Sequence, residues 1–162
     1  PRSPEEATQV IEEFSKNSDK LECLCVGNKP TKGLCSVFQI LVAAPAFGDY
    51  LEGSTITPDQ KKRLAFLCAR AGYRAQFNKV VDFSKKNPGH PICLKPTTTG
   101  LGEFKNDVAS VAKGFEIALK EYQFQLKKHK IHVEVQVFSP NDSIPADSPA
   151  YKMVRTLGLQ QR

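Results

Sequence analysis

The chain has 162 residues, of which 40% are hydrophobic and 25% charged, which excludes a disordered polypeptide and fits one domain over residues 1–162. Its net charge of +6 is uneven: residues 56–102 hold nine basic and two acidic residues, whereas residues 1–55 carry −3 and residues 103–162 carry +2. A basic middle third favours polyanionic partners, and the longest apolar stretch is far shorter than the roughly 20 residues of a transmembrane helix.

Two elements are predicted near the start of the chain. Residues 4–18 indicate a helix, because apolar side chains recur on one side and acidic residues fill the first turn. Residues 21–26 indicate a short strand, followed by a turn at residues 28–30. Residues 35–44 are almost wholly apolar, so their periodicity does not separate a buried strand from a buried helix. We favour a helix there.

Two helices are predicted in the basic middle third. The first begins at Thr57-Pro58, where Thr suits the cap and Pro the first helical position, and Gly72 is expected to end it. The second covers residues 74–86. Over about 25 residues the pair resembles a helix-turn-helix, whose second helix enters the major groove. We rank such DNA recognition below general binding of RNA or another polyanion.

A long helix at about residues 103–128 is predicted as the central element of the core, since seven apolar residues recur there at intervals of three and four. Residues 131–138 alternate apolar and polar side chains, which indicates a strand with one buried face. The prolines of residues 139–149 indicate a loop, and Ser148-Pro149 favours a short C-terminal helix. The predicted fold class is therefore α+β, a predominantly helical single domain with a few short strands.

The helix that begins at Pro58 carries a candidate binding surface. At about 100° per residue, apolar side chains cluster on one side and cations with aromatic rings on the other. Guanidinium groups bind phosphates and rings stack on bases, although an ordinary solvated face with Phe66 packed beneath another segment is the alternative. The predicted polyanion-binding residues are Arg63, Arg70, Arg74, Lys79, Lys85 and Lys86, with Phe66 and Tyr73 as stacking groups.

The remaining polar segments support other sites less well. Residues 95–102 lead into the start of the long helix, where amide groups can bind an anion, but an ordinary capped helix start is favoured. The odd number of cysteines in apolar surroundings suits reduced thiols and an intracellular location, in cytoplasm or nucleus. Zinc-ligand types are present at irregular spacing, and buried thiols acting as small hydrophobes are favoured. The candidate zinc ligands are Cys23, Cys25, Cys35, His90 and Cys93.

The sequence favours a binding protein over an enzyme. It has three histidines and no nucleophile elbow, metalloprotease helix or paired-carboxylate motif, so no catalytic residue, metal, cofactor or small-molecule substrate is inferred. An enzyme with a dispersed site would bring at least two of His90, Cys93 and His132 together in a pocket. We rank this enzyme hypothesis below the two binding hypotheses that follow.

The leading hypothesis is a non-enzymatic binding or assembly protein whose basic middle segment contacts RNA or an anionic membrane surface. By analogy of composition alone, a viral structural protein of the nucleocapsid or matrix kind fits this description. The second hypothesis is a protein-interaction module that joins partners or forms a homo-oligomer through the acidic first helix and the Pro-containing C-terminal segment.

Overall fold

The fold is taken from a computed structural model, which describes residues 3–27, 38–47, 55–102, 104–137 and 147–156. Four α-helices and two small sheets in these ranges confirm the predicted α+β class with predominant helix. In chain order the elements are α1 (Pro4–Asn17), a 3-10 turn (Ser18–Lys20), β1 (Leu24–Gly27), β2 (Phe38–Leu41), α2 (Pro58–Lys86), β3 (Ile92–Leu94), α3 (Val108–Lys128), β4 (Ile131–Val133) and α4 (Pro149–Thr156). No helix in these ranges combines the length and apolar character that crossing a bilayer requires.

Helix α2 is continuous over 29 residues, so the predicted break at Gly72 and the helix-turn-helix are wrong. The predicted start is confirmed: Thr57 and Gln60 form a capping box. Gly72 is buried, and a Cβ atom added there would lie 2.6 Å from Val42 Cγ1. The glycine therefore lets the segment after β2 pack on α2, and it does not end the helix.

Among the described elements, helices α2 and α3 form the largest interface, and they run parallel. Along α3, Gly114 lies against Ala69, Glu121 pairs with Arg74, and the His129 ring at the helix end lies 3.5 Å from Ser84 Oγ. Residues later in α3 thus contact residues later in α2, which shows that the two helices run in the same direction. The core between the helices is built from edge-to-face and tilted ring contacts with centroids 4.9 to 6.0 Å apart, which join Tyr73, Phe77, Phe115 and Tyr122.

Helix α3 begins five residues later than predicted. Lys105 has a φ of 51°, in the left-handed region that a helix does not continue through. Buried Asn106 instead donates from Nδ2 to Pro45 O at 2.7 Å and to Gly100 O at 3.0 Å. Asp107 then caps α3 by accepting from Ser110 N at 2.8 Å. The preceding turn is therefore held by side-chain bonds that replace helical ones.

The two sheets differ in direction. Strands β1 and β2 pair antiparallel, so the helix favoured for residues 35–44 is wrong where the structure describes it, and residues 35–37 and the predicted turn at 28–30 lie outside the described residues. Strands β3 and β4 pair parallel, with α3 as the connection between them. The strand predicted at 131–138 is confirmed over Ile131–Val133, and the pairing continues as an isolated bridge at Gln136.

The two terminal helices pack on the central pair. Gln60 of α2 donates to Pro4 O at 2.7 Å and to Thr8 Oγ1 at 2.8 Å, which fixes the start of α1 against the start of α2. Helix α4 packs on α3 and inserts Met153, which is fully buried in the core. The predicted first and last helices are thus both present, while residues 139–146 of the predicted loop lie outside the described ranges.

Candidate polyanion-binding surface

The predicted binding residues of α2 do not share one side of the helix. At about 100° per residue, Arg74 and Lys85 lie within roughly 60° of Arg70, whereas Lys79 and Lys86 lie roughly 160–180° away from it. All three lysines are exposed. The structure therefore brings part of the predicted set together and places the rest on the other side of α2.

The arginines face a groove of about 570 Å³ between α2 and α3. The α2 residues that line the groove recur at intervals of three and four, so they lie on one face of the helix. The lining residues are Arg70, Arg74, Asn78, Val81 and Lys85 of α2, and Glu121, Tyr122 and Gln125 of α3. Predicted residue Arg63 is exposed on α2 and does not line the groove.

The two arginines in the groove are paired with carboxylates. Arg70 donates through Nη2 to Glu121 Oε1 at 2.6 Å, and Arg74 Nε lies 2.8 Å from Glu121 Oε2 as an ion pair without the alignment of a hydrogen bond. Arg74 also pairs with Asp19. Both arginine side chains are two-thirds or more buried, so they join α3 and the 3-10 turn to α2. A phosphate must displace these carboxylates to reach them.

The aromatic part of the prediction is wrong for Tyr73. Its side chain is 1% exposed, and its hydroxyl donates to Thr97 O at 2.9 Å, so no face of the ring is available to a base. Burial also raises the pKa of this phenol. Phe66 is half-buried, and its carbonyl faces Gly114 where α3 packs on α2. This contact involves only the backbone of Phe66, so the packing of its ring beneath another segment stays a prediction.

A lysine cluster lies where α2 and α3 end side by side. We name as the C-terminal lysine cluster the four exposed residues Lys85, Lys127, Lys128 and Lys130 near these ends, whereas Lys86 lies on the other side of α2. Within the described part of the chain, only Lys85 of these makes an ion pair, with Asp82 at 3.0 Å. The cluster and Asp82 together carry +3, half of the net charge of +6 of the whole chain. The excess positive charge is thus concentrated at one end of the helix pair.

An exposed ring lies next to this cluster. Phe124 is 70% exposed on α3, and Lys127 and Lys128 follow it at the three- and four-residue spacings that make neighbours on a helix surface. This arrangement provides the cations beside an aromatic face that were predicted for α2. Our sequence reasoning missed Phe124 and the run Lys127-Lys128-His129-Lys130, although the run of cations is visible in the sequence.

The described cysteines do not behave as one buried group. Cys68 is half-buried, and burial raises its pKa to about 11. Cys23 is half-buried with its Sγ 4.0 Å from Gly72 O. Cys93 is exposed, so the prediction of a buried thiol is wrong there, while Cys35 lies outside the described residues.

Two of the three residues named for a dispersed active site do converge. Cys93 and His132 come together with Glu134 on adjacent strands, whereas His90 is not part of this group. All three are exposed and line neither the groove nor a second cavity beside Gly72, whose volume of about 10 Å³ is no larger than a water molecule. The convergence is therefore on an open surface, in contrast to the pocket that the enzyme hypothesis requires.

No protein-family model, no curated protein and no solved structure matches this chain.

Proposed function

We propose that the protein is a non-enzymatic binding protein that contacts single-stranded RNA through the C-terminal lysine cluster and Phe124. The observation that carries this proposal is the exposed ring of Phe124 beside Lys127 and Lys128 at the end of α3. Ammonium groups that have no carboxylate partner among the described residues attract the phosphate backbone, and an exposed aromatic face stacks on a base of any sequence. A structural or assembly role, such as packaging RNA, fits this sequence-tolerant chemistry.

The interhelical groove extends this surface along α2 and α3. Asn78 and Gln125 supply amide donors and acceptors, and Tyr122 supplies a half-buried ring. Lys85 belongs to both the groove and the cluster, so a strand bound at the lysine end has a continuous path into the groove. We favour RNA over an anionic membrane because a ring and amide groups in a groove suit bases better than lipid headgroups.

The test is fluorescence anisotropy of a labelled single-stranded RNA titrated with the purified full chain at several salt concentrations. The slope of log K against log salt is negative, and we expect its magnitude to fall by about 1.4 in the Lys127→Glu/Lys128→Glu variant, at about 0.7 for each lost phosphate contact. The matched control is Lys16→Glu/Lys62→Glu, since both lysines are exposed, lie outside the cluster and give the same change of charge.

A separate experiment tests Phe124, the proposed stacking group. Phe124→Ala is expected to weaken RNA binding by about 1–3 kcal/mol, the usual contribution of one stacked base, while Val10→Ala, another exposed apolar residue, leaves it unchanged. Equal affinities for the lysine variant and its control would refute the proposal. Binding to vesicles of anionic phospholipid with no binding to RNA would assign the surface to a membrane instead.

A specific observation favours self-association as a second candidate function. Leu24 and Leu41 are register partners on β1 and β2, so they lie side by side, and they are 64% and 53% exposed. Burying such a pair between two copies removes apolar surface from water. This candidate predicts that light scattering detects a concentration-dependent dimer that Leu24→Glu/Leu41→Glu abolishes, with RNA binding unchanged.

A further inference from the structure

The outer face of the parallel sheet brings three metal-ligand types together. Side chains alternate along β3 and β4: Leu94 and Ile131 are buried, while Cys93 and His132 are exposed. The register pairs Cys93 with His132 directly, and Glu134 lies two residues further along the same face. The pairing continues past the strand ends, since Glu134 N donates to Leu94 O at 2.9 Å. Backbone hydrogen bonds therefore fix the spacing of all three residues.

The ligand atoms lie close to the separations that a tetrahedral ion needs. The Cys93 sulfur, a His132 ring nitrogen and a Glu134 carboxylate oxygen all lie within 4.8 Å of one another, and Cys93 Sγ lies 4.0 Å from Glu134 Oε2. Zinc bonds of about 2.0–2.3 Å in a tetrahedron place ligand atoms roughly 3.3–3.8 Å apart. Because the three side chains are exposed, rotation about their own bonds supplies the small contraction without moving the strands.

We propose that Cys93, His132 and Glu134 bind a zinc ion, with water in the fourth position. A thiolate and an imidazole select a borderline-soft ion of the zinc type, whereas magnesium and calcium prefer oxygen ligands alone. Binding releases the proton of the Cys93 thiol. Three protein ligands on an open face leave the fourth coordination position accessible to water, in contrast to the four protein ligands of a closed structural zinc site.

Two neighbouring features are compatible with this site. Lys95 Nζ lies 3.7 Å from Glu134 Oε2 in an exposed ion pair, and such pairs contribute so little to stability that a divalent ion displaces the ammonium group. The Cys93 thiol lies next to the Glu134 carboxylate. A role of Cys93 as a nucleophile activated by the His132 ring is therefore less well supported than a role as a metal ligand together with Glu134. The proposal is independent of RNA binding because these residues lie outside the lysine cluster and the groove.

The test is competition for Zn²⁺ between the purified full chain and a chromophoric chelator. We expect one Zn²⁺ per chain, and affinity reduced about tenfold or more in Cys93→Ser, His132→Gln and Glu134→Gln. The matched controls Cys23→Ser and His90→Gln change the same residue types outside the site and are expected to stay within about twofold of the native chain. Circular dichroism confirms that each variant is folded.

A second measurement identifies the ligands. Co²⁺ bound in place of Zn²⁺ is expected to give a thiolate charge-transfer absorption that Cys93→Ser abolishes, and Zn²⁺ should slow alkylation of Cys93 but not of Cys23, as mapped by mass spectrometry. Absence of Zn²⁺ binding by the native chain would overturn the proposal. Binding of equal affinity in Cys93→Ser, or a cobalt spectrum without a thiolate band, would do the same.

Discussion

Replacing Gly114 by alanine tests the packing of α2 against α3. A Cβ atom there would lie 2.8 Å from Ala69 Cβ, 2.8 Å from Arg70 N and 2.9 Å from Phe66 O, where ordinary contact begins at 3.4 Å. Two of these three atoms belong to the backbone of α2, so no single side chain can move aside. The helices must separate locally by about 0.6 Å, and the ring contacts of Phe115 loosen with them.

Two opposing effects set the change in the free energy of unfolding that Gly114→Ala causes. Overpacking typically costs about 1–3 kcal/mol, and a clash with backbone falls towards the upper end of that range. Alanine is a better helix former than glycine by about 1 kcal/mol, which offsets part of the loss. We therefore expect Gly114→Ala to lower the free energy of unfolding by about 1–2 kcal/mol and the Tm by roughly 2–8 °C for a chain of this length.

Urea unfolding followed by circular dichroism gives the free energy, with two controls. Gln123 is exposed on the same helix, so comparing Gln123→Ala with Gln123→Gly measures helix propensity there without a packing change. Gly102→Ala adds a methyl group where nothing lies within 4 Å and should change stability by less than about 0.5 kcal/mol. If Gly114→Ala is as stable as the native chain, or more stable, the close approach of the two helices is refuted.

Two further predictions concern a charge and a thiol. Glu121→Gln removes two partly exposed ion pairs and should lower the free energy of unfolding by about 0.5–2 kcal/mol. It should also strengthen RNA binding because the Arg70 guanidinium loses its carboxylate partner, while Arg74 keeps its pair with Asp19. No gain over the control Glu12→Gln would contradict that. Burial raises the pKa of Cys68 from its ordinary value of 9.0 to about 11. The stability that the buried neutral thiol contributes is therefore complete below about pH 9 and is lost as pH rises towards 11. Urea unfolding should thus show an additional loss of about 1–2 kcal/mol by pH 10 that Cys68→Ala removes, and an identical pH dependence in both proteins would refute it.

Local signals predicted the starts of α1, α2 and α4 well, but not the start of α3. The cap at Thr57 depends on residues close in sequence, and so does the acidic first turn of α1. The prediction that α2 ends at Gly72 was wrong because a residue without a side chain serves equally well to end a helix and to let another segment pack closely. Only the position of Val42, thirty residues earlier in the chain, decides between the two, and no local pattern contains it.

The prediction of the binding surface was partly wrong for the same reason, because the deciding contacts come from residues distant in sequence. A helical wheel of α2 alone places Arg70 and Tyr73 on a polar side, but α3 packs there and supplies Glu121 from 51 residues further on. The lysine cluster depends on α2 and α3 being parallel, which brings together two ends that are distant in sequence. Cys93 was misjudged because its neighbours are apolar, whereas in a strand alternate residues face opposite ways.

The parallel pairing of β3 with β4 also orders the events of folding. The partners Ile92 and Ile131 are 39 residues apart, with all of α3 between them, whereas Gly27 and Phe38 of the antiparallel pair are separated by only 11. During synthesis on the ribosome, α1 and α2 emerge first, and β3 has no partner until α3 has been made and has packed. The closure of this long loop is therefore expected to be late and slow, and until it occurs β3 is an unprotected edge.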